Sequence, residues 1–586
     1  MERLYPTIFE SPSAKQTERL YVFALLAVGL LRFLNLGFED LQAWDEALYA
    51  VRAEGILRFG GFLDQTQFSI GGLYSSLHPP LYVWLTSVSF FLFGVTEFAA
   101  RFFSALFGGL TLFVIYRLGK ELQSAKIGFL AAMLFGLNPF VTFFARQGQF
   151  DTTLVFFMSA SALCYLRLES ERRTSFALIA GAATGAALMT KLFVGLGIPL
   201  SFFLWKAATQ ADGEKGLWRA FLVSLGMTIL VAAPWYVYMT IVEGHGNPLF
   251  FFGASALLTR SFSGVEGNVK PLEVFYFVNQ LVVLFPLGVT WLCFGLYRIF
   301  KSKDRSWLLM AVWFALFFVT FSLMRTKLAV YLLPMLLPAS LIAAREIVEL
   351  STGMYSNRLA AFLIGGTGIS FLWASNQSWR NLTKTIAADI LHGRLPDFTT
   401  MLMYLPFMVL LVSTVFLSFL VYNKDKLHQF RPAISILVLL PSFVLSFYNV
   451  VRYDQYQYKD GARELADLID ERQPSTIVVA GFDRNPQLTF YLDGVDIGWR
   501  DDIRVKRVAP PANRSQFRVW LSEQTGDLSS DGLLIVEKDK FIRYEWVTAE
   551  EVNPVDFTLV FESKRYAAFQ WIPSTQLALL TRRPIP

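Results

Sequence analysis

Two adjacent carboxylates, Asp45 and Glu46, stand in the stretch LQAWDEALYA at residues 41–50, shortly after an apolar run that ends near Leu36. A positioned carboxylate can act as a general base that removes a proton from a hydroxyl group. A third carboxylate, Asp151, follows in ARQGQFD. Side chains that could hold an anion through charge or hydrogen bonds are also present. These candidates are His78, Lys191, Arg260, Arg325, Lys327 and Tyr331.

The elements that position these residues are predicted to be membrane helices. The chain has 586 residues, of which 54% are hydrophobic and only 17% are charged, whereas about a quarter of a soluble protein is charged. The composition therefore predicts a polytopic α-helical membrane protein. Its two cysteines, Cys164 and Cys293, lie in apolar runs and indicate neither a disulfide framework nor a cysteine metal site. The net charge of +6 needs no nucleic acid partner to explain it.

The apolar run at 81–94 decides the predicted topology. A spanning helix needs about 20 apolar residues, so this shorter run suits an interfacial or re-entrant helix better than a span. If it does not cross, the basic segments between the later runs all lie on the cytoplasmic side, as the positive-inside rule requires. The sequence then predicts thirteen spans, near 20–36, 101–118, 127–144, 153–167, 174–190, 192–207, 218–237, 276–298, 307–324, 329–344, 358–375, 401–422 and 432–448.

The composition changes after residue 448. The stretch YKDGARELADLIDERQPSTIVVAGF predicts an amphipathic helix followed by a strand, and DGLLIVEKDKF and DFTLVFES predict further strands. We therefore expect a transmembrane domain at 1–448 and a soluble α/β domain at 449–586. With thirteen spans and a cytoplasmic N-terminus, this second domain and all the candidate residues lie on the extracytoplasmic side.

Five motifs in order give a resemblance to a known family. WDEALYA, HPPLYVWL, EFAARFFSALFG, ARQGQFDTTLVFF and RTKLAVYLLPMLLPASLIAAR resemble the GT-C glycosyltransferases. The most similar branch holds the 4-amino-4-deoxy-L-arabinose lipid A transferases and the bacterial relatives of protein O-mannosyltransferases. The resemblance covers roughly residues 20–345, is only topological over 346–448, and is absent over 449–586.

The resemblance implies an enzyme of the bacterial inner membrane that takes a sugar from a polyprenyl-phosphate carrier of the undecaprenyl type. The sugar would pass to a lipid or glycan acceptor on the outer face of the membrane. An alternative is transfer to Ser or Thr of exported proteins. The implied partners are the carrier, the acceptor and membrane lipids, with no nucleic acid.

The chain also departs from the lipid A branch. Leu48 stands where those enzymes typically have an arginine, and Leu77 and His78 replace a Glu-Lys pair. His78 instead matches the His-Pro-Pro form of the mannosyltransferase-like members. The sugar and the acceptor cannot therefore be copied from the lipid A enzymes. The missing glutamate leaves no indication of a metal, and no cofactor is implied.

The resemblance assigns roles to the acidic residues. Asp45 corresponds to the catalytic acidic residue, which implies a general base and inversion by direct displacement. Partial burial would make it a better base; the alternative is a cap for a helix that begins at Glu46 or Ala47. Glu46 either lines the acceptor site or favours the helix N-terminus. Asp151 corresponds to the second acidic residue, or is a loop carboxylate or cap, and Arg146 could pair with it.

The leaving phosphate needs cations and donors. Arg260 matches an arginine in the large loop of the family. Lys327 and Tyr331 match its Thr-Lys-Leu…Tyr pattern and are expected one helical turn apart. Arg325, His78 and Lys191 complete the set. The alternatives are that the lysines and arginines at span ends reach to lipid headgroups, and that His78 is an ordinary loop residue.

Three further readings stay open. The short helix at 81–94 could form a wall of the groove for the carrier lipid, or anchor in the interface through its aromatic residues. A transporter would place charges near the bilayer midplane and show repeat symmetry. A non-catalytic glycolipid receptor would use the C-terminal domain as a sensor. The charges here gather on one side and no internal repeat is visible, which favours the enzyme.

Overall fold

The structure, a computed structural model, describes residues 14–70, 72, 76–209, 215–251, 275–351, 355–356, 358–360, 362–370, 373–374, 440, 461–480, 485–494, 503–508, 532–538, 557–563 and 565–571. The chain divides into two compact units. Unit 1 comprises Met1–Asn35, Leu77–Tyr82 and Phe102–Val451, and unit 2 comprises Leu36–Ser76, Val83–Arg101 and Arg452–Pro586. The segments around α2 and α3, defined below, thus pack with the C-terminal part of the chain. The boundary at 448/449 lies outside the described residues and stays a prediction.

The helices of the described residues are numbered in chain order. Their bounds are α1 Ala14–Leu30, α2 Asp45–Phe59, α3 Leu81–Phe93, α4 Glu97–Leu122, α5 Ala125–Gly136, α6 Pro139–Phe144, α7 Asp151–Glu171, α8 Thr174–Leu188, α9 Gly197–Thr209, α10 Lys215–Val242, α11 Tyr276–Leu284, α12 Val289–Ser302, α13 Arg305–Leu323, α14 Leu333–Ser351, α15 Ala462–Arg472 and α16 Pro486–Tyr491. Short 3₁₀ helices lie at Leu31–Phe33, Thr66–Phe68, Leu192–Leu196 and Ala329–Leu332.

Several of these helices suit a membrane. In the described part of the chain, five are long and apolar enough to cross one: Glu97–Leu122, Leu192–Thr209, Gly216–Val242, Arg305–Leu323 and Ala329–Leu350. Helix α3 has 13 residues and is about 20 Å long, shorter than the roughly 30 Å hydrocarbon core. That α3 does not cross stays a prediction. So does the total of thirteen spans, because 401–422 and nearly all of 432–448 lie outside the described residues.

Two predicted spans are each two helices, and the single-helix expectation is wrong for both. Within 127–144, α5 ends at Gly136, and the Asn138 side chain caps α6 by accepting from the amides of Phe140 at 2.9 Å and Val141 at 3.2 Å. Within 276–298, α11 and α12 meet at a bend of 119°. Pro286 lies in this break and has no amide hydrogen to continue a helix.

Small residues bring the helices of unit 1 together. A Cβ atom on Gly181 would lie 2.2 Å from the Ser224 carbonyl oxygen, and one on Gly185 would lie 2.6 Å from Val231 Cβ. Only glycine therefore allows α8 and α10 to approach this closely. Helix α14 is buried along almost its whole length and packs against α5, α12 and α13. Its apolar residues on every face are typical of a central helix.

Unit 2 contains a five-stranded sheet. The strands are β1 Thr476–Ala480, β2 Arg504–Val508, β3 Gly532–Glu537, β4 Phe557–Glu562 and β5 Tyr566–Trp571, in the order β2-β1-β3-β5-β4. β1 pairs in parallel with β2 and β3, whereas β5 is antiparallel to β3 and β4. The predicted C-terminal helix followed by strands is confirmed. Its extracytoplasmic location stays a prediction.

Candidate active site

The two adjacent carboxylates of unit 2 have opposite environments. Helix α2 begins at Asp45, and the capping residue before it is Trp44, which makes no side-chain cap hydrogen bond. Asp45 is therefore the first helical residue, and the expectation that it caps a helix starting at Glu46 or Ala47 is wrong. The Asp45 side chain is exposed, so the described residues do not supply the partial burial that would make it a better base. Glu46, in contrast, is only 1% exposed.

An arginine holds Glu46 in place. Arg101 Nε lies 2.6 Å from Glu46 Oε1, and Arg101 Nη2 lies 2.9 Å from Glu46 Oε2, which is a bidentate buried ion pair. The Gln42 amide donates to Glu46 Oε2 at 2.7 Å. The remaining guanidinium hydrogens reach the carbonyls of Leu36, Glu39 and Asp40 at 2.8–2.9 Å. Glu46 and Arg101 thus fix the turn that leads into α2.

In unit 1 the structure brings four of the predicted residues into one cluster. Lys191 Nζ lies 2.7 Å from Asp151 Oδ1, 4.7 Å from the ring centre of Phe150 and 5.5 Å from that of Tyr331. The His78 ring stacks on Phe150 with 5.9 Å between centres. We refer to His78, Phe150, Asp151, Lys191 and Tyr331 as the lysine cluster. It joins one ion pair to two rings that contact the ammonium group, and the His78 ring stacks on one of them.

Local structure explains how the cluster is assembled. Lys191 follows the end of α8 and precedes the 3₁₀ helix Leu192–Leu196, so it lies in a helix break. The Leu81 amide donates to the Met189 carbonyl at 3.0 Å, which ties the His78 turn to that break. Asp151 is the first residue of α7, and Thr152 Oγ1 next to it donates to the Ser104 carbonyl at 3.1 Å.

Arg146 donates to backbone carbonyls rather than pairing with Asp151. Its Nη1 donates to the carbonyls of Arg32 at 2.9 Å and Leu34 at 2.6 Å. The carboxylate of Asp151 pairs with Lys191 instead. The alternatives that Asp151 is a loop carboxylate or a helix cap are wrong, because Asp151 is the first residue of α7 and Phe150 is the capping residue. Asp151 and Lys191 form an ion pair whose side chains are 9% and 18% exposed.

The remaining predicted phosphate ligands are Lys327, Arg325 and Arg260. Lys327 is buried, and its Nζ donates to the carbonyls of Phe321 at 3.0 Å and Ser322 at 2.6 Å, at the C-terminal end of α13. It precedes the 3₁₀ helix Ala329–Leu332, so the expectation that one helical turn separates it from Tyr331 is wrong. Arg325 is exposed. Arg260 lies outside the described residues.

Two residues were missed by the sequence reasoning. Phe150 lies in ARQGQFDTTLVFF and Arg101 in EFAARFFSALFG, and a charge such as Arg101 beside apolar residues of a predicted membrane helix is itself a signal for a buried partner. In the ranges that the structure covers, no group of three or more His, Cys, Asp or Glu side chains is placed to hold a metal ion.

The proteins similar to this chain include sugar transferases. A family profile described as dolichyl-phosphate-mannose-protein mannosyltransferase matches residues 77–238. An uncharacterized protein of Aquifex aeolicus is 24% identical over 84% of this chain and 89% of its own length. An undecaprenyl phosphate-alpha-4-amino-4-deoxy-L-arabinose arabinosyl transferase of Pseudomonas savastanoi is 26% identical over 56% of this chain. The match spans 61% of that transferase, which is less than two thirds of its length.

The fold comparison covers nearly the whole chain. The crystal structure of ArnT from Cupriavidus metallidurans bound to undecaprenyl phosphate superposes with a TM-score of 0.65 at 18% identity, over 96% of this chain and 99% of ArnT. The GT-C fold predicted from the motifs is thereby confirmed.

Proposed function

We propose that this chain, a membrane glycosyltransferase by its GT-C fold and its sequence kinship, moves a sugar from a polyprenyl-phosphate carrier to a lipid or glycan acceptor. The name of the Pseudomonas relative and the undecaprenyl phosphate bound to ArnT support an undecaprenyl-type carrier. The reaction would take place at the outer face of a bacterial inner membrane, as the pattern of basic loops predicts.

The opposite environments of Asp45 and Glu46 carry this proposal. Glu46 is buried and bound by Arg101, which leaves it little capacity for substrate, whereas Asp45 is exposed at the start of α2. A carboxylate that an acceptor hydroxyl can reach suits a general base. A bound acceptor would supply the burial that the described residues do not. We propose that Asp45 is the base and that Glu46 positions it.

The lysine cluster supports a role in donor binding. An ammonium group has three N–H donors, and the bond from Lys191 to Asp151 uses one of them. The rings of Phe150 and Tyr331 hold the ammonium by cation–π contact. We propose that Lys191, with His78 and Tyr331, contacts the carrier phosphate. Lys327, Arg325 and Arg260 remain proposed phosphate ligands on the family pattern alone, and Asp151 is proposed to orient Lys191.

The proposed transfer is a single displacement. Asp45 takes the proton of the acceptor hydroxyl as its oxygen attacks the anomeric carbon. The bond from that carbon to the phosphate oxygen breaks, and the polyprenyl phosphate leaves with the electron pair. Cationic side chains stabilise the negative charge that grows on the phosphate. Attack opposite the leaving group inverts the anomeric centre.

The experiment compares an isosteric variant with a matched surface variant. Asp45→Asn keeps shape but cannot accept the proton, so sugar transfer should fall by about two to four decades. Asp467→Asn, an exposed acid on α15, is the control and should transfer at the wild-type rate. The substrate pair is first found by mass spectrometry of lipids and glycans from cells with and without the gene. Transfer and carrier binding are then measured in nanodiscs.

Carrier binding should be unchanged in Asp45→Asn, because the proposed base acts on the acceptor. An Asp45→Asn enzyme that transfers sugar at the wild-type rate contradicts the base assignment. No change in any lipid, glycan or protein modification on deletion of the gene contradicts the transferase proposal itself.

Transfer to protein is the second candidate. The family profile over residues 77–238 takes its description from protein mannosyltransferases, and His78 has the His-Pro-Pro form. Under this alternative, deletion of the gene should remove a hexose mass from Ser or Thr residues of exported proteins and leave envelope lipids unchanged. The same mass spectrometry, applied to tryptic peptides, separates the two candidates.

A further inference from the structure

A chain of buried hydrogen bonds runs from the sheet of unit 2 toward the acidic helix α2. Asn485 Nδ2 donates to Glu537 Oε1 at 2.7 Å and lies 3.1 Å from the Tyr566 hydroxyl oxygen. The Tyr566 hydroxyl donates to Gln487 Oε1 at 2.6 Å. Gln487 Nε2 then donates to the Leu41 carbonyl at 2.7 Å. We call Glu537, Asn485, Tyr566 and Gln487 the buried relay.

The members of the relay lie on rigid elements and are almost inaccessible. Glu537 ends β3, Tyr566 begins β5, and Gln487 lies on α16, which Asn485 caps. Glu537, Tyr566 and Gln487 are each 0% exposed, and Asn485 is 3% exposed. Because Tyr566 donates to the amide oxygen, the amide nitrogen of Gln487 is directed at Leu41. Hydrogen bonds in such a buried network stiffen the elements that carry them.

Leu41 is held on both of its backbone groups. Its carbonyl accepts from Gln487, and its amide donates to the Tyr491 hydroxyl oxygen at 2.9 Å. The Tyr491 hydroxyl in turn donates to Glu97 Oε1 at 2.8 Å, and Glu97 also pairs with Arg463 of α15. Leu41 stands four residues before Asp45, and the intervening Gln42 amide is bound to Glu46.

We infer that the C-terminal α/β segment positions the acidic helix, and that Gln487 is a positioning residue for Asp45 through the backbone of Leu41. This inference rests on the proposed function, in which Asp45 is the base. Displacement of a catalytic group by about 1 Å costs up to about a hundredfold in rate, so a rigid anchor close to the base affects turnover. The Gln487 side chain would then serve catalysis through the backbone of Leu41 rather than by contact with a substrate.

The test uses an isosteric variant that removes one donor. Gln487→Glu keeps the acceptor for the Tyr566 hydroxyl but, when ionised, cannot donate to the Leu41 carbonyl. Turnover per folded enzyme should fall about tenfold with carrier affinity unchanged, whereas the melting temperature should fall because an ionised carboxylate is buried at a position that is 0% exposed. When the pH falls, the new carboxyl group becomes protonated and can donate again, so both the melting temperature and the ratio of variant to wild-type turnover should rise. Under a merely structural role the melting temperature would recover in the same way, whereas turnover per folded enzyme would equal that of wild type at every pH.

Two comparisons make the result specific. Gln473→Glu is the matched control, because Gln473 is exposed and its side-chain amide donates to the nearby Asp470 carbonyl at 2.8 Å. This substitution should leave turnover unchanged. Tyr566→Phe removes the hydroxyl that orients Gln487. It should lower turnover in the same direction, and it decides the question if Gln487→Glu does not fold.

A double-mutant cycle separates this inference from the proposed function. If Gln487 acts by positioning Asp45, Gln487→Glu should not lower further the residual turnover of Asp45→Asn. An equal fold loss in both backgrounds overturns the positioning role, as does wild-type turnover in both Gln487→Glu and Tyr566→Phe. Wild-type turnover in Asp45→Asn itself overturns the base assignment instead, whatever the relay variants do.

Discussion

Three arginines, Arg32, Arg101 and Arg146, are buried and donate to backbone carbonyls. In unit 1, Arg146 reaches the carbonyls of Arg32 and Leu34. In unit 2, Arg101 reaches those of Leu36, Glu39 and Asp40. A guanidinium has five donors in a rigid fork, so it can satisfy several carbonyls of an irregular segment at once. The connection before α2 is therefore ordered by side chains rather than by regular structure.

Arg101→Met should destabilise the protein because it leaves Glu46 buried without its ion-pair partner. The expected loss is about 3–5 kcal/mol. Glu46→Gln in the same chain should recover part of it, since a neutral amide costs less to bury than an unpaired carboxylate. Arg173→Met is the matched control, because Arg173 and its partner Glu171 are 71% and 38% exposed and surface pairs contribute about 1 kcal/mol or less. Thermal unfolding in detergent measures all four proteins; equal losses for Arg101→Met and Arg173→Met would contradict this account.

Lys191 allows structural and functional roles to be separated. Lys191→Met leaves Asp151 without the ammonium and should lower both stability and turnover. The double variant Lys191→Met/Asp151→Leu removes both charges and should regain stability, since apolar replacement of a buried pair is often neutral. Its turnover should stay about one to two decades low if the ammonium contacts the carrier phosphate. Wild-type turnover in the double variant would mean that the pair only supports the fold.

At the scale of elements, periodicity and length predicted where most helices lie, but not where they break. The predicted span at 307–324 corresponds closely to α13, Arg305–Leu323. The breaks near Asn138 and Pro286 interrupt stretches whose apolar character is continuous, so hydropathy does not register them. Lys327 was placed on a helix for the same reason, although the chain there is not helical until Ala329. Proline and asparagine within an apolar run indicate such helix breaks.

The N-terminus of α15 offers a prediction about pH. Asp40 Oδ2 accepts from the amides of Gly461 and Ala462 at 3.1 Å each and so caps this helix. Burial, and next the neighbouring Glu464, raise the pKa of Asp40 from 3.8 to about 6. Because the folded pKa lies above the unfolded one, the folded protein holds the proton more tightly. Its stability therefore falls as the pH rises from about 4 to about 6.

Asp40→Asn should keep the cap, since an amide oxygen also accepts from helix amides, and should remove this pH dependence. The stability of the variant relative to wild type should increase as the pH rises from about 4 to 6 and then level off, with a change of about 1–3 kcal/mol. Thermal unfolding from pH 4 to 8 measures it, with Asp467→Asn as the exposed control. A difference that stays constant across this range would show that Asp40 does not titrate in this way.

At the scale of the whole molecule, contacts between distant parts of the sequence lay beyond prediction. The pairing of the Leu41 carbonyl with Gln487 spans 446 residues, and no local pattern in either segment specifies it. The sequence indicated the acidic pair and a C-terminal α/β segment, yet not that 36–76 and 461–571 form one compact unit. Topology can be proposed from the sequence because it depends on lengths and charge counts, which are local and additive; the thirteen spans and their orientation stay predictions.

The sidedness of the helices can be tested on α10, whose ends both lie in unit 1. The basic loop before α10 is predicted to be cytoplasmic and the loop after it extracytoplasmic. In a chain carrying Cys164→Ser and Cys293→Ser, which removes both native thiols, we would introduce Gly216→Cys or Leu249→Cys. A Cβ atom at Gly216 meets nothing within 4 Å, and Leu249 is 64% exposed.

A membrane-impermeant maleimide added to intact spheroplasts should label position 249 at once, and position 216 only after lysis. Labelling of 216 before lysis, with 249 protected, would invert the topology and move the loops assigned to the outer face to the cytoplasm. That outcome would exclude a reaction at the outer face of the inner membrane. The contacts within each unit would be unchanged.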